Sequence, residues 1–193
     1  MKIGVLALQG DFEDHIQVLR QLGVETAEIR LPGQLHDLRG LIIPGGESTT
    51  IGKLATDFDL LEPLKDFGKM NAVWGTCAGA IFLSSDARRE QTLMGLMEIR
   101  VERNAFGRQV DSFEVDIAVP ALKTVDASER PFRAIFIRAP LIKSVHGTTE
   151  VLAELDDGRI VAAQQGHLLA TSFHPELTDD DRFHRYFVNM VRS

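Results

Sequence analysis

Chemistry in this chain starts from its single cysteine, Cys77, in the run AVWGTCAGA from Ala72 to Ala80. Gly75 and Gly79 flank it as G-x-C-x-G, after the apolar Ala72-Val73-Trp74 and before the apolar Ala78 to Leu83. A nucleophile on a strand-to-helix turn needs small neighbours. Its own backbone is strained, and larger flanking residues would collide. The turn pushes the sulfur into open space at the sheet edge. The following helix N-terminus favours thiolate over thiol. A buried core cysteine is the alternative reading, and a partner base decides between the two.

Six histidines could supply that base: His15, His36, His146, His167, His174 and His184. His15 and His184 fall inside predicted helices and His36 in a polar loop, so each reads as a surface or packing residue. His146 and His167 sit at predicted turns or strand ends. His174 closes an apolar strand and is followed by Pro175-Glu176. The proline stiffens the backbone, and the carboxylate two residues on can hold the imidazole in one tautomer. His174 is therefore the expected general base and acid, with Glu176 as its orienter. Acyl transfer also needs donors for an oxyanion. Pro44-Gly45-Gly46-Glu47-Ser48 ends another predicted strand, and the backbone amides of Gly46 and Ala78 are the expected donors. The loop is too short, and lacks the lysine, for a phosphate-binding P-loop.

Such a site needs a parallel sheet whose strand ends meet, and the first half of the chain supplies the pattern. Lys2 to Leu8 is an almost continuous apolar run, as in a strand buried on both faces. Phe12, Ile16, Leu19 and Leu22 then recur at helical spacing, with Gly23 as the stop. Strands are predicted at Val24 to Ile29, Gly40 to Ile43 and Ala72 to Trp74. Helices are predicted from Ser48 or Thr49 through Leu54, over Leu60 to Phe67 and over Ala78 to Leu83. The second half reads as successive strands: Met97 to Val101, Ser112 to Val119, Phe132 to Ile137, Val145 to Leu152, Ile160 to Gln164 and Leu168 to Phe173. A last helix follows Thr178, with three aspartates in its first turn and Phe183, Phe187 and Met190 on one face. The expected fold class is α/β: three layers, a mostly parallel central sheet flanked by helices, and a mixed or antiparallel extension in the second half. No linker divides the chain, so one domain over 1–193 is expected.

Composition narrows the function classes. Hydrophobic residues make up 44% and charged residues 25%, as in a globular protein with its own core. A formal charge of -7 argues against nucleic acid as the main partner. One cysteine can form neither an internal disulfide nor a thiolate zinc site. No apolar run is long enough to span a bilayer, and MKIGVLALQGD reads as a first strand rather than a targeting segment. The expected location is the cytoplasm.

Together these residues resemble the class I, triad-type glutamine amidotransferases, and within them the glutaminase subunits of pyridoxal 5′-phosphate synthase. GTCAG and HPE are shared across the wider class. PGGEST, RNAFGRQ and FIRAP are more specific to the subunit, and GVLALQGDFEDH and ATSFHPELTDDDRFHRYF extend the match over nearly the whole chain. The resemblance implies a flavodoxin-like amidotransferase architecture. It implies glutamine hydrolysis to glutamate and ammonia through Cys77, His174 and Glu176 and a glutamyl thioester. It assigns Gly46, Glu47, Ser48, Arg103, Ile137 and Arg138 to the L-glutamine site. It also implies a synthase subunit that receives the ammonia in a hetero-oligomer, with no metal or organic cofactor. Two alternatives stand beside this: a glutaminase serving another synthase, such as that for imidazole glycerol phosphate, or a non-catalytic regulatory protein on the same fold.

Overall fold

The computed structural model describes residues 1–88, 90–103 and 112–193. The alternating half comprises β1 (Lys2–Leu6), α1 (Phe12–Gln21), β2 (Glu25–Ile29), β3 (Gly40–Ile43), α2 (Ser48–Asp57), α3 (Leu61–Met70), β4 (Ala72–Thr76) and α4 (Ala78–Leu83). The second half supplies β5 (Ser84–Asp86), β6 (Met97–Glu102), β7 (Ser112–Ile117), β8 (Phe132–Ile137), β9 (Leu141–Val145), β10 (Glu150–Glu154), β11 (Ile160–Gln165) and β12 (Leu168–Thr171). The closing helix is α5 (Arg182–Arg192).

The main sheet runs β2-β1-β3-β4-β12-β11-β9-β6-β5, with β10 paired to β11. Its first five strands are all parallel. Beyond β12, the strands β11, β9 and β6 pair antiparallel, and β5 returns parallel to β6. β7 and β8 form a separate antiparallel ribbon. This is the α/β sheet with a mixed extension that the sequence predicts. The order β2-β1-β3-β4, continued by β12, is the flavodoxin-like order with its fifth strand drawn from late in the chain.

Side-chain alternation builds a core on each face. Leu41, Ile43 and Val73 pack with Ile51 and Ala55 of α2, Leu64 and Phe67 of α3 and Phe82 of α4. Ile42 and Trp74, on the opposite face, pack with Ile16 and Leu19 of α1 and with Phe183 and Phe187 of α5. No helix among the described residues is long and apolar enough to cross a membrane.

Some boundaries differ from the sequence reading. The stretch expected as one strand from Val145 to Leu152 takes in the last residue of β9, a turn and the start of β10. Both strands pair with β11, and β9, whose Leu141 to Ser144 the sequence reading left unassigned, also pairs with β6. Gly147 at φ +58 and the bond from Thr149 N to His146 O (3.1 Å) close the turn between β9 and β10. α5 begins at Arg182, so the three aspartates precede the helix instead of filling its first turn. The cause is Arg182, which is itself buried. Its guanidinium donates to Asp180 and to the carbonyls of Arg130 (2.8 Å) and Pro131 (2.9 Å), which pins this segment before the helix starts. α2 and α3 each run three residues past their expected ends, and β5 had no clear sequence signal. The RNAFGRQ motif after Arg103 lies outside the described residues.

Candidate active site

β1, β3, β4 and β12 are parallel, so their carboxyl ends share one edge of the sheet, where ligands bind in open α/β folds. Cys77 follows β4 directly, at φ 48 and ψ -108. A non-glycine residue rarely adopts this conformation, and here the packing around it enforces the strain. A Cβ on Gly79 would come within 2.0 Å of the Ile43 carbonyl oxygen, and one on Gly75 within 2.5 Å of the Gly79 oxygen. The flanking glycines therefore let the elbow sit against the end of β3. Ala78 opens α4, so its amide is among those with no partner inside the helix.

His174 reaches the same edge from β12. Its backbone amide bonds the Ile135 carbonyl of β8 at 2.8 Å, and Pro175 to Leu177 form a tight helical turn. That turn brings Glu176 Oε1 to 2.7 Å from His174 Nδ1. Nε2 is the ring nitrogen left for Cys77. Burial alone would lower the basicity of His174. Hydrogen bonds to the Cys77 side chain and to Glu176 outweigh it and raise the pKa to about 10. These contacts favour the imidazolium over the neutral ring. Burial pushes the Glu176 carboxyl upward, with partial relief from His174. Asp11 Oδ2 lies 3.7 Å from His174 Nδ1. Asp11, His174 and Glu176 bring their ligand-type atoms within 4.8 Å of one another, but His174 Nδ1 is already committed to Glu176. The grouping is accounted for by the His174–Glu176 hydrogen bond.

The loop after β3 faces the elbow. Gly46 has φ +148, and a Cβ there would stand 2.5 Å from Gln9 Oε1. Gln9 in turn accepts from the Glu47 amide at 2.7 Å, so the loop after β1 braces the expected oxyanion loop. Glu47 caps α2 by accepting from the Thr50 amide at 2.7 Å, and it also accepts from the Thr49 and Thr50 hydroxyls. Arg103 Nη2 donates to its other oxygen at 2.6 Å. Burial works against ionisation of Glu47, but these donors hold its pKa down to about 2. Ser48 is buried, and its hydroxyl is 3.4 Å from Gln91 Oε1. Ile137 places its carbonyl oxygen 4.0 Å from the Cys77 sulfur, and Arg138 follows at a left-handed φ of 44.

One cavity of about 520 Å³ gathers these groups. Gly46, Glu47, Ser48, Cys77, Ala78, Arg103, Ile137, Arg138 and His174 all line it, with Asp11, Ile81 and Pro140. Of the residues singled out from sequence, only Glu176 stands behind the wall. The volume suits a small polar metabolite. A larger hollow of about 700 Å³, between Leu35 and Phe67, lies at the amino ends of β3 and β4, far from the cysteine elbow.

Two histidines read as surface or packing residues prove to be part of this neighbourhood. His15 and His184 are fully buried. His15 Nδ1 is 2.9 Å from His184 Nε2, and its Nε2 is 3.3 Å from Glu176 Oε2. The signal was present in the sequence. His15 precedes Leu19 by four residues and His184 precedes Val188 by four, which puts both on apolar stripes.

The geometry has close counterparts among known proteins. Pyridoxal 5′-phosphate synthase subunit PdxT of Herpetosiphon aurantiacus is 56% identical over 195 residues, covering 98% of this chain and all of that one. The PdxT subunit of Dehalococcoides mccartyi is also 56% identical, covering all of this chain and 98% of its own. A crystal structure of a glutamine amidotransferase superposes with a TM-score of 0.91 at 46% identity, over 99% of both chains. A family model matches residues 5–193, which include the cysteine elbow, the Gly45-Gly46 loop and the His-Pro-Glu turn. The chain belongs to the SNO glutamine amidotransferase family.

Proposed function

We propose that this chain hydrolyses L-glutamine to glutamate and ammonia as the glutaminase subunit of a pyridoxal 5′-phosphate synthase, and passes the ammonia to the synthase subunit. One observation carries the reading. A strained, glycine-flanked Cys77 pairs with His174, whose other nitrogen is held by Glu176, on the wall of a cavity lined by arginines. The relatives named as synthase subunits support the partner.

With its proton held on His174, the Cys77 sulfur attacks as thiolate at the side-chain amide carbon of glutamine, and the oxygen's developing charge falls to the Gly46 and Ala78 amides. His174 gives its proton to the leaving nitrogen. The C–N bond breaks, ammonia departs, and a γ-glutamyl thioester remains. His174, now neutral, takes a proton from water as that water attacks the thioester. The C–S bond breaks, glutamate leaves, and the sulfur and imidazolium are restored. Arg103 and Arg138 grip the substrate α-carboxylate, because a guanidinium fork matches a carboxylate. Arg103 spends one donor on Glu47 and has others in its fork. Gly46, Glu47, Ser48 and Ile137 shape the rest of the pocket. The chain acts as one domain over 1–193, in the cytoplasm, where its lone thiol stays reduced.

Free ammonia is mostly protonated in neutral water, so a closed route to the partner conserves the nucleophile. The test is glutamate release measured with and without the synthase subunit. We expect stimulation by the partner, and loss of at least about a thousandfold in Cys77→Ala, since covalent catalysis is removed. Retained activity in folded Cys77→Ala would sink the assignment.

A further inference from the structure

We propose that His15 is a positioning residue for the glutaminase triad: it fixes the second carboxylate oxygen of Glu176, and His184 fixes His15. The inference rests on the triad reading above and extends it into the protein interior.

Glu176 is buried, and its two oxygens are in different situations. Oε1 is committed to His174. Oε2 has no fully formed hydrogen bond, a costly state for a buried carboxylate oxygen. The group facing it is His15 Nε2 at 3.3 Å, in ion-pair range but off hydrogen-bond geometry. Catalytic hydrogen bonds are often long in unliganded sites and shorten when substrate binds.

The protons can be placed by elimination. Burial holds both His15 and His184 neutral, with further lowering at His15 from His184 and His174. Each ring therefore carries one N–H. The 2.9 Å contact between His15 Nδ1 and His184 Nε2 needs one proton between them. If His15 Nδ1 carried it, the bare Nε2 of His15 would face a carboxylate, lone pair against lone pair. His184 would also hold its N–H at Nδ1, the ring atom that finds no partner. Both ends reject that arrangement. The opposite one puts N–H on Nε2 of both rings. His184 then donates to His15, His15 donates toward Glu176, and an acceptor rather than a donor is left unpaired at the far end. Thr76 Oγ1, 3.3 Å from His15 Nε2, can turn to accept as well.

This chain runs His184, His15, Glu176, His174, Cys77. It joins α5 and α1 to the elbow after β4 through groups that have little freedom to move. Its effect is to hold the carboxylate plane so that Oε1 points at Nδ1, and to steady the carboxylate charge. The charged and titratable groups around Glu176 are His174 on its own turn, His15 on α1 and Asp11 ahead of α1, with His184 of α5 behind His15.

Two measurements test it. In wild-type protein with 15N-labelled histidine, long-range 1H–15N spectra should show N–H on Nε2 of both His15 and His184. An Nδ1–H tautomer at His15 overturns the proposal without any variant. The second compares His15→Gln with His15→Asn in the presence of the synthase subunit. Gln can place an amide donor near the Nε2 position, whereas Asn reaches only the Nδ1 position. His15→Asn should lower kcat about tenfold or more with little change in KM. The acid limb of its pH profile should move upward, because a carboxylate that loses a donor binds protons more readily. His15→Gln should recover most of the rate. Equal rates in the two variants at matched thermal stability, or an effect on KM alone, contradict it. Failure of this inference is separable from failure of the triad. An unaffected His15→Asn beside a dead Cys77→Ala removes only the former, whereas an active Cys77→Ala removes both.

Discussion

At the scale of single residues, the proposed reacting groups were the most legible part of the sequence. Cys77 and His174 each sit in a local pattern that has few other physical explanations: glycines on both sides of a thiol, and a proline-stiffened carboxylate after an imidazole. What supports them was less legible, because it depends on long-range contact. Gln9 braces Glu47 across 38 positions, and His15 meets His184 across 169. Arg103 shows the limit of local reading: nothing in its immediate sequence marks it, and family resemblance picked it out. In the fold it lines the cavity and pairs with Glu47. Replacing it as Arg103→Met should raise KM for glutamine about tenfold or more while kcat stays within a fewfold, the value of a lost charge-assisted hydrogen bond. Steady-state kinetics check this, and an unchanged KM would remove Arg103 from substrate binding.

Among the elements, the alternating half was predicted well because buried parallel strands are near-continuous apolar runs. β1, β3 and β4 all match such runs. The mixed half was harder. A half-exposed strand and a turn differ by only one or two residues: the turn at Gly147 interrupts the expected strand from Val145 to Leu152, and β9 lies almost wholly ahead of it. The junction between elements matters most for chemistry. The elbow works because β4 and α4 meet without side chains at Gly75 and Gly79. Gly79→Ala would drive a methyl to 2.0 Å from the Ile43 oxygen, a backbone atom that cannot step aside. The expected result is a loss of about 2 kcal/mol or more of stability, together with a displaced nucleophile. Thermal unfolding and glutaminase assays should fall together. A wild-type melting temperature would mean that the junction has slack the packing does not suggest.

For the whole molecule, burying polar groups behind the triad makes stability depend on pH. His184 has its pKa pushed down to about 3 by burial, and His15 is also well below its ordinary value. The unfolded chain binds protons at both histidines near pH 6.5, and the folded chain does not. Stability must therefore fall as pH drops below 6.5. His174 acts in the other sense. Its pKa of about 10 gives stability that is fully present below 6.5 and is lost as pH rises toward 10. Glu176, raised by burial, takes up a proton in the folded state at low pH and offsets part of the histidine loss. Two against a partial one leaves a net loss on the order of 2 kcal/mol between pH 6.5 and 5. Denaturant titrations at the two pH values measure it, and equal or greater stability at pH 5 would show that the two histidines are not buried neutral. The central claim is covalent chemistry at one sulfur. Its most direct measurement is intact-protein mass after rapid acid quenching of the glutamine reaction with the synthase subunit present. The account predicts a mass gain of one glutamyl group, located on the peptide carrying Cys77 and absent in Cys77→Ala. Turnover with no such adduct in wild type, or the same adduct in Cys77→Ala, would contradict it.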